Sequence, residues 1–196
     1  NTVVDANGRW EVSLTAMAAT NGPLTLVAST PGSSVTLTNI AVGDVWFCSG
    51  QSNAGWSLSA TDGADAEIAV ANYPAFRLIR VPRYKLAAPS DDPIILENTL
   101  DWDTDTGALK DKAGTWFVCN PENAGYFGAA FYYATKEVHL ELGIPIGVIQ
   151  SAYAGTPMEA WANSPLPEAH PVGSDPADPQ HLYNGMVYPY LRLPIT

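Results

Sequence analysis

Positive charge is scarce in this chain: nine lysines and arginines stand against 20 aspartates and glutamates, a formal charge of −11 over 196 residues. Binding a phosphate backbone or an anionic bilayer draws on clustered cations, so neither nucleic acid nor a membrane is an expected partner. Cysteine is nearly absent. Cys48 and Cys119 are the two present, too few for a disulfide framework; they read as separately buried thiols, with a single bridge as the alternative in an oxidising compartment. No apolar run approaches the roughly 20 residues that cross a bilayer. No His, Cys and carboxylate grouping has metal-ligand spacing and no glycine-rich phosphate loop occurs, so neither a metal nor another cofactor is expected. Asn1 opens directly into strand-like sequence with none of the features of a signal peptide, and the chain reads as beginning inside a longer protein. An acidic composition with few lysines suits a secreted or lysosomal setting.

What is present suffices for a core. Hydrophobic residues make up 46% of the chain, and this length accommodates one domain or one domain with part of another. Residues 1–42 alternate polar and apolar positions at Trp10, Val12 and Leu14, at Leu24 and Leu26, and at Val35 and Leu37. Asp5-Ala6-Asn7-Gly8, Asn21-Gly22-Pro23 and Pro31-Gly32 punctuate them, which predicts short antiparallel strands and turns, the C-terminal part of a small β-domain. From residue 43 strands alternate with helical stretches, the pattern of a parallel sheet covered on both faces. A strand is predicted over 75–81, after a short helix near 64–71 with Asp62 as a candidate cap. The clearest helix runs over about 126–142, with Phe127, Phe131, Ala134, Val138 and Leu142 on one stripe, and Lys136, Glu137 and Glu141 elsewhere. Gly143 and Pro145 stop it. Residues 91–114 and 163–180 read as irregular, the second proline-rich.

The sequence changes character at Gly43-Asp44-Val45-Trp46-Phe47-Cys48-Ser49-Gly50-Gln51-Ser52-Asn53. An apolar run stops at a glycine and delivers one serine between two side-chain amides. Val45, Trp46 and Phe47 predict a buried strand, Gly50 a sharp turn, and Ser52 the start of a helix, where N–H groups without intrahelical partners stabilise negative charge. A serine there also serves as an ordinary helix cap. The stretch from Ile144 to Trp161 repeats the design: Ile146 to Ile149 run into Gln150-Ser151-Ala152-Tyr153-Ala154-Gly155-Thr156-Pro157-Met158-Glu159-Ala160-Trp161, with Gly155 where a backbone closely approaches something. Parallel strands ending in such loops bring both to one edge of a sheet, the edge at which α/β folds bind ligands.

With Leu182-Tyr183-Asn184-Gly185-Met186 as a third stretch, these residues resemble the sialate O-acetylesterase family of SGNH-type serine hydrolases, in order from about Arg9 to the last residue. The first motif departs from the family at Ala54-Gly55-Trp56, where a bulky Met usually precedes the tryptophan. The resemblance implies a three-layer α/β/α SGNH-hydrolase (flavodoxin-like) domain over 43–196, incomplete at its C-terminus, preceded by the β-domain remnant of 1–42. It implies Ser52 as the nucleophile and the backbone N–H groups of Ser52 and Gly155 as oxyanion donors, acting on acetylated sugars such as sialic acid. Gln51, Asn53, Trp56, Thr156, Glu159, Trp161 and Asn184 are candidate substrate-binding residues, Trp56 and Trp161 as stacking faces for a sugar ring. Each also has a plain structural reading as loop or core.

The base is the missing part. His139 falls on a mixed face of the long helix and reads as a surface residue, while His170 and His181 flank the proline-rich stretch. The family's histidine follows a Gln-Gly-Glu segment, and neither element occurs here. A further segment or a second, processed chain would supply both. The alternative is a secreted carbohydrate-binding or structural protein that keeps this fold without turnover.

Overall fold

Two strands, β1 (Thr20–Thr30) and β2 (Ser33–Val42), pair antiparallel across the turn at Pro31-Gly32. The computed structural model describes residues 2–93, 114–163, 179–191 and 193. Its chain separates into two compact units, residues 1–42 and 43–196. In the first unit the turn at Asp5 forms as predicted, its carboxylate accepting the N–H groups of Asn7 and Arg9 at 2.8 and 2.9 Å. Two other expectations fail. Trp10, Val12 and Leu14 belong to no strand and stay exposed, because alternation makes a strand only where a neighbour completes the hydrogen-bond ladder. Asn21-Gly22-Pro23 does not separate two strands; it lies inside β1 as an irregularity, with register shifts between Thr20 and Leu26. Proline lacks the N–H that the ladder needs there.

The second unit is built on a four-stranded sheet of β3 (Asp44–Gly50), β4 (Tyr73–Arg80), β5 (Trp116–Cys119) and β6 (Ile146–Ala152), in the spatial order β3-β6-β4-β5. β3, β6 and β4 run parallel, whereas β5 pairs antiparallel with β4. The sheet is therefore mixed, not purely parallel as the alternation of elements suggested. β5 contributes only four residues and stands at the edge of the sheet, next to β4.

Strand side chains alternate between two cores. Phe76, Leu78, Ile146 and Val148, with Trp46 and Cys48 of β3, face the first core, where α3 (Ala129–Leu142) supplies Tyr132 and the short helix α2 (Ala64–Val70) packs Ile68. Ile79, Val81 and Ile149, with Val45 and Phe47, face the second, filled by Ala160, Leu182, Met186 and Tyr190 from short 3₁₀ and π turns. Helical layers thus cover both faces of the sheet. β3 is an edge strand, so its apolar residues are half-buried and not enclosed as its composition predicted.

The long helix forms, one turn shorter than predicted, after a 3₁₀ turn at Ala124–Tyr126. Gly143, left-handed at φ 65°, ends it and donates its N–H to the His139 carbonyl. Its buried face matches the predicted stripe in part: Phe131 and Val138 pack against the core, as does Phe127 just before the helix. Ala129, Tyr132, Thr135 and Lys136 are buried, while Ala134 and Leu142 are exposed. Lys136 reaches the core side because Glu67 of α2 waits there at 2.8 Å, and a paired charge tolerates burial that a lone one does not. α2 itself starts from Gly63, without a side-chain cap from Asp62. His139 is half-buried, its ring stacked on Phe76 and its Nδ1 2.6 Å from the Ile144 carbonyl oxygen. It is a packing residue of the helix end.

Candidate active site

The site grows from the C-terminal ends of β3 and β6. The two strands pair in parallel from Asp44↔Ile146 to Gly50↔Ala152, so both chains leave the sheet together, and Tyr153 N–H donates to the Gly50 carbonyl at 3.1 Å. At Gly50 a Cβ would stand 2.7 Å from the Ala54 Cβ, so glycine is what lets the chain reverse there. Ser52 follows, exposed, as the first residue of α1 (Ser52–Gly55). This helix is a single turn. It is too short for a macrodipole, and any stabilisation of charge comes from individual N–H groups aimed at one point.

Those groups do converge. The Gln51 side-chain oxygen accepts the Ser52 N–H at 2.9 Å, the Ser52 hydroxyl at 2.7 Å and the Gly155 N–H at 3.4 Å. Gly155 adopts φ 74°, a left-handed conformation, with its N–H directed at the Gln51 side-chain oxygen. Ser52 and Gly155 stand 103 positions apart in sequence, yet one oxygen atom bonds both.

A cavity of about 170 Å³ adjoins this point, lined by Gln51, Ser52, Gly55, Trp56, Arg83 and Ala154 among others. Trp56 is 56% exposed, and its indole N–H is held by the Ala60 carbonyl at 3.2 Å. Arg83 was not anticipated from sequence. It lies three residues past β4, in no motif, and arrives because β4 runs parallel to β6 and ends at the same edge. Its Nε donates to the Ala152 carbonyl at 3.3 Å, and its guanidinium sits 5.5 Å from the centroid of the Tyr153 ring. A basic residue just beyond a strand end, in so acidic a chain, was the available signal.

The remaining candidates fall into two groups. Asn53 is exposed but does not line the cavity. Thr156 is buried; its hydroxyl donates to the Tyr153 carbonyl at 2.6 Å and accepts the Trp161 indole N–H at 2.9 Å. Glu159 accepts the Gln180 N–H at its carbonyl, at 3.0 Å. Asn184 is buried, its amide donating to the Leu86 carbonyl at 3.0 Å. Thr156, Trp161 and Asn184 therefore fasten loops and do not offer these groups to a ligand. Polar residues in a motif look alike whether they face a cavity or the loop behind it.

The Ser52 hydroxyl has Gln51 as its hydrogen-bond partner, and among the described residues no histidine shares it. His181 accepts the Leu86 N–H at its carbonyl, and His170 lies outside the described residues. Both thiols are free, with Cys48 half-buried and Cys119 buried.

No family model matches the chain. Human sialate O-acetylesterase is 28% identical over 204 residues, covering 94% of this chain and 36% of that protein. The mouse sialate O-acetylesterase is 28% identical over 166 residues, covering 82% of this chain and 28% of its own. The crystal structure of a carbohydrate acetylesterase from Xanthomonas citri superposes with a TM-score of 0.77 at 30% identity, covering 97% of this chain. The chain is similar to these acetylesterases over nearly its whole length. It spans 36% of the human protein and 39% of the Xanthomonas chain. The α/β sheet with its helical faces is the architecture shared with the Xanthomonas structure, and in this chain Ser52 and Gly155 stand together at its C-terminal edge.

Proposed function

We propose that the complete protein is a serine esterase that removes O-acetyl groups from sialic acid or a related acetylated sugar, with Ser52 as the nucleophile. The observation that carries this reading is the meeting of the Ser52 hydroxyl with two backbone N–H groups, from Ser52 and Gly155, around a single oxygen position. Acyl transfer needs that combination: an oxygen to attack the carbonyl carbon and fixed donors for the negative charge that develops on the carbonyl oxygen. Attack yields a tetrahedral intermediate held by the two N–H groups, and its collapse releases the sugar hydroxyl and leaves acetyl on Ser52. Water then cleaves that ester. The proton moves through a histidine outside the described residues, supplied with a Gln-Gly-Glu segment by another part of the protein or by a second chain. The exposed Trp56 beside the cavity gives a flat apolar face for a sugar ring, and a secreted or lysosomal location fits the acidic composition.

Ser52→Ala tests the reading in the full-length protein. Hydrolysis of 4-nitrophenyl acetate and of an O-acetylated sugar is expected to fall by about a thousandfold or more, with the melting temperature little changed because the side chain is exposed. Wild-type protein that binds glycans without cleaving any acetyl ester would establish the non-catalytic alternative, in which Ser52 lacks a base.

A further inference from the structure

The geometry points to Gln51 as a latch: its carboxamide oxygen occupies the place of the substrate's carbonyl oxygen, and turnover begins when that side chain swings out. This rests on the esterase reading above. An amide oxygen and an ester carbonyl oxygen present the same sp² lone pairs, so whatever holds one of them holds the other. Here the Ser52 N–H, the Ser52 O–H and the Gly155 N–H all close on Gln51 Oε1. The orientation of the amide is fixed by chemistry, since an NH₂ in that place would set donors against the two backbone N–H groups. Its nitrogen bonds nothing among the described residues, so the side chain is held by its oxygen alone.

Two functions are blocked at once. The position that should receive the substrate oxygen is filled, and the Ser52 proton points at an amide, which does not act as a base. A nucleophile must turn that proton toward a histidine before it attacks. Departure of Gln51 frees both groups together. Because the residue is exposed and lines the cavity beside Trp56 and Arg83, it has room to move without disturbing the core. Competent protein is then the fraction with the latch open, and apparent affinity is reduced by that fraction.

The opposite role for Gln51 is a template that positions Ser52 and Gly155, and the two differ in sign. Gln51→Ala and Gln51→Met, the second preserving bulk without the oxygen, are compared with wild type in the full-length protein. The first readout is the second-order rate of Ser52 labelling by a fluorophosphonate, in which the serine oxygen bonds phosphorus, fluoride leaves and the serine proton passes to the base. The second is kcat and KM on 4-nitrophenyl acetate. A latch predicts labelling about five- to tenfold faster in both variants and a lower KM with kcat retained. Folded variants that react at the wild-type rate or slower overturn it. A structure of the wild-type adduct decides the matter without variants: Gln51 displaced from the Ser52 and Gly155 N–H groups is expected, and Gln51 still in place overturns the latch while leaving the esterase reading intact. Absence of an adduct on Ser52 in every form overturns both.

Discussion

Lys136 Nζ lies 2.8 Å from Glu67 Oε1, the oxygen that also accepts the Tyr132 hydroxyl at 2.7 Å. Two residues of α3 thus close on one carboxylate of α2, within the helical layer that covers the sheet. The Lys136 and Tyr132 hydrogen bonds hold the Glu67 carboxyl below its ordinary value, against the opposing effect of burial. Burial works to lower Lys136, but its hydrogen bond and charge attraction to Glu67 outweigh it, and the ammonium is raised.

Those shifts fix a pH window. A depressed carboxyl stabilises the fold above its unfolded value of 4.5 and loses that contribution as pH falls through the lower folded value; a raised ammonium contributes below 10.5 and loses it as pH rises further. Lys136→Met is expected to cost about 1–3 kcal/mol near neutral pH. The difference from wild type should shrink at acid pH, as Glu67 takes up its proton below the ordinary 4.5. Urea denaturation at the two pH values checks it.

Gln150 and Gly128 tie the sheet to the start of α3. The buried Gln150 amide oxygen accepts the Gly128 N–H at 2.7 Å. Gln150→Leu strands that N–H and should cost about 1–3 kcal/mol. Gly128→Ala acts elsewhere: its Cβ would lie 2.6 Å from the Ala54 carbonyl oxygen, so the clash falls on the turn that carries Ser52. Esterase assays at a temperature where both variants remain folded should show the larger loss in Gly128→Ala.

Gly155→Ala separates backbone strain from crowding. No atom lies within 4 Å of the added Cβ, but the residue sits at φ 74°, which costs an L-residue about 1–2 kcal/mol. Relief of that strain rotates the N–H away from the oxyanion position. The loss should then fall mainly on kcat, by about ten- to a hundredfold, with KM little affected. Steady-state kinetics beside thermal melts would show it, and an equal fall in KM would argue against the assigned donor.

The thiols give a fourth check. Burial raises Cys48 to about 11, and burial foremost raises Cys119 to about 12, aided by the Glu67 charge. Iodoacetamide near pH 8 should alkylate both slowly in native protein and rapidly in urea. Since unfolded thiols ionise at about 9.0, their contribution to stability is complete below that pH and is lost as pH rises through the folded values. Denaturation midpoints measured across that range test the sign.

Much of this was legible because strands advertise themselves. Val45 to Phe47 and Ile146 to Ile149 are short apolar runs ended by small residues, and pairing them in parallel places Ser52 beside Gly155 with little further information. The long helix was legible in extent and in part of its face, through Phe131 and Val138, but Tyr132, Thr135 and Lys136 count as polar until Glu67 is known to sit opposite. Arg83 was hidden because topology alone brings it to the cavity. The use of Gln51 was hidden more deeply, since it depends on a side-chain torsion that no spacing encodes.

The stretch Leu182 to Met186 acquires a different meaning from its packing. A Cβ at Gly185 would lie 2.6 Å from the Tyr84 carbonyl oxygen, one residue beyond Arg83, while Asn184 binds the Leu86 carbonyl on the other side. Main chain faces main chain there, so no second substitution elsewhere can make room for a side chain at 185. Heritable change at this contact is limited by the clearance between two backbones, whereas Trp56 and Arg83, which line the cavity, leave evolution its freedom to alter what the cavity accepts.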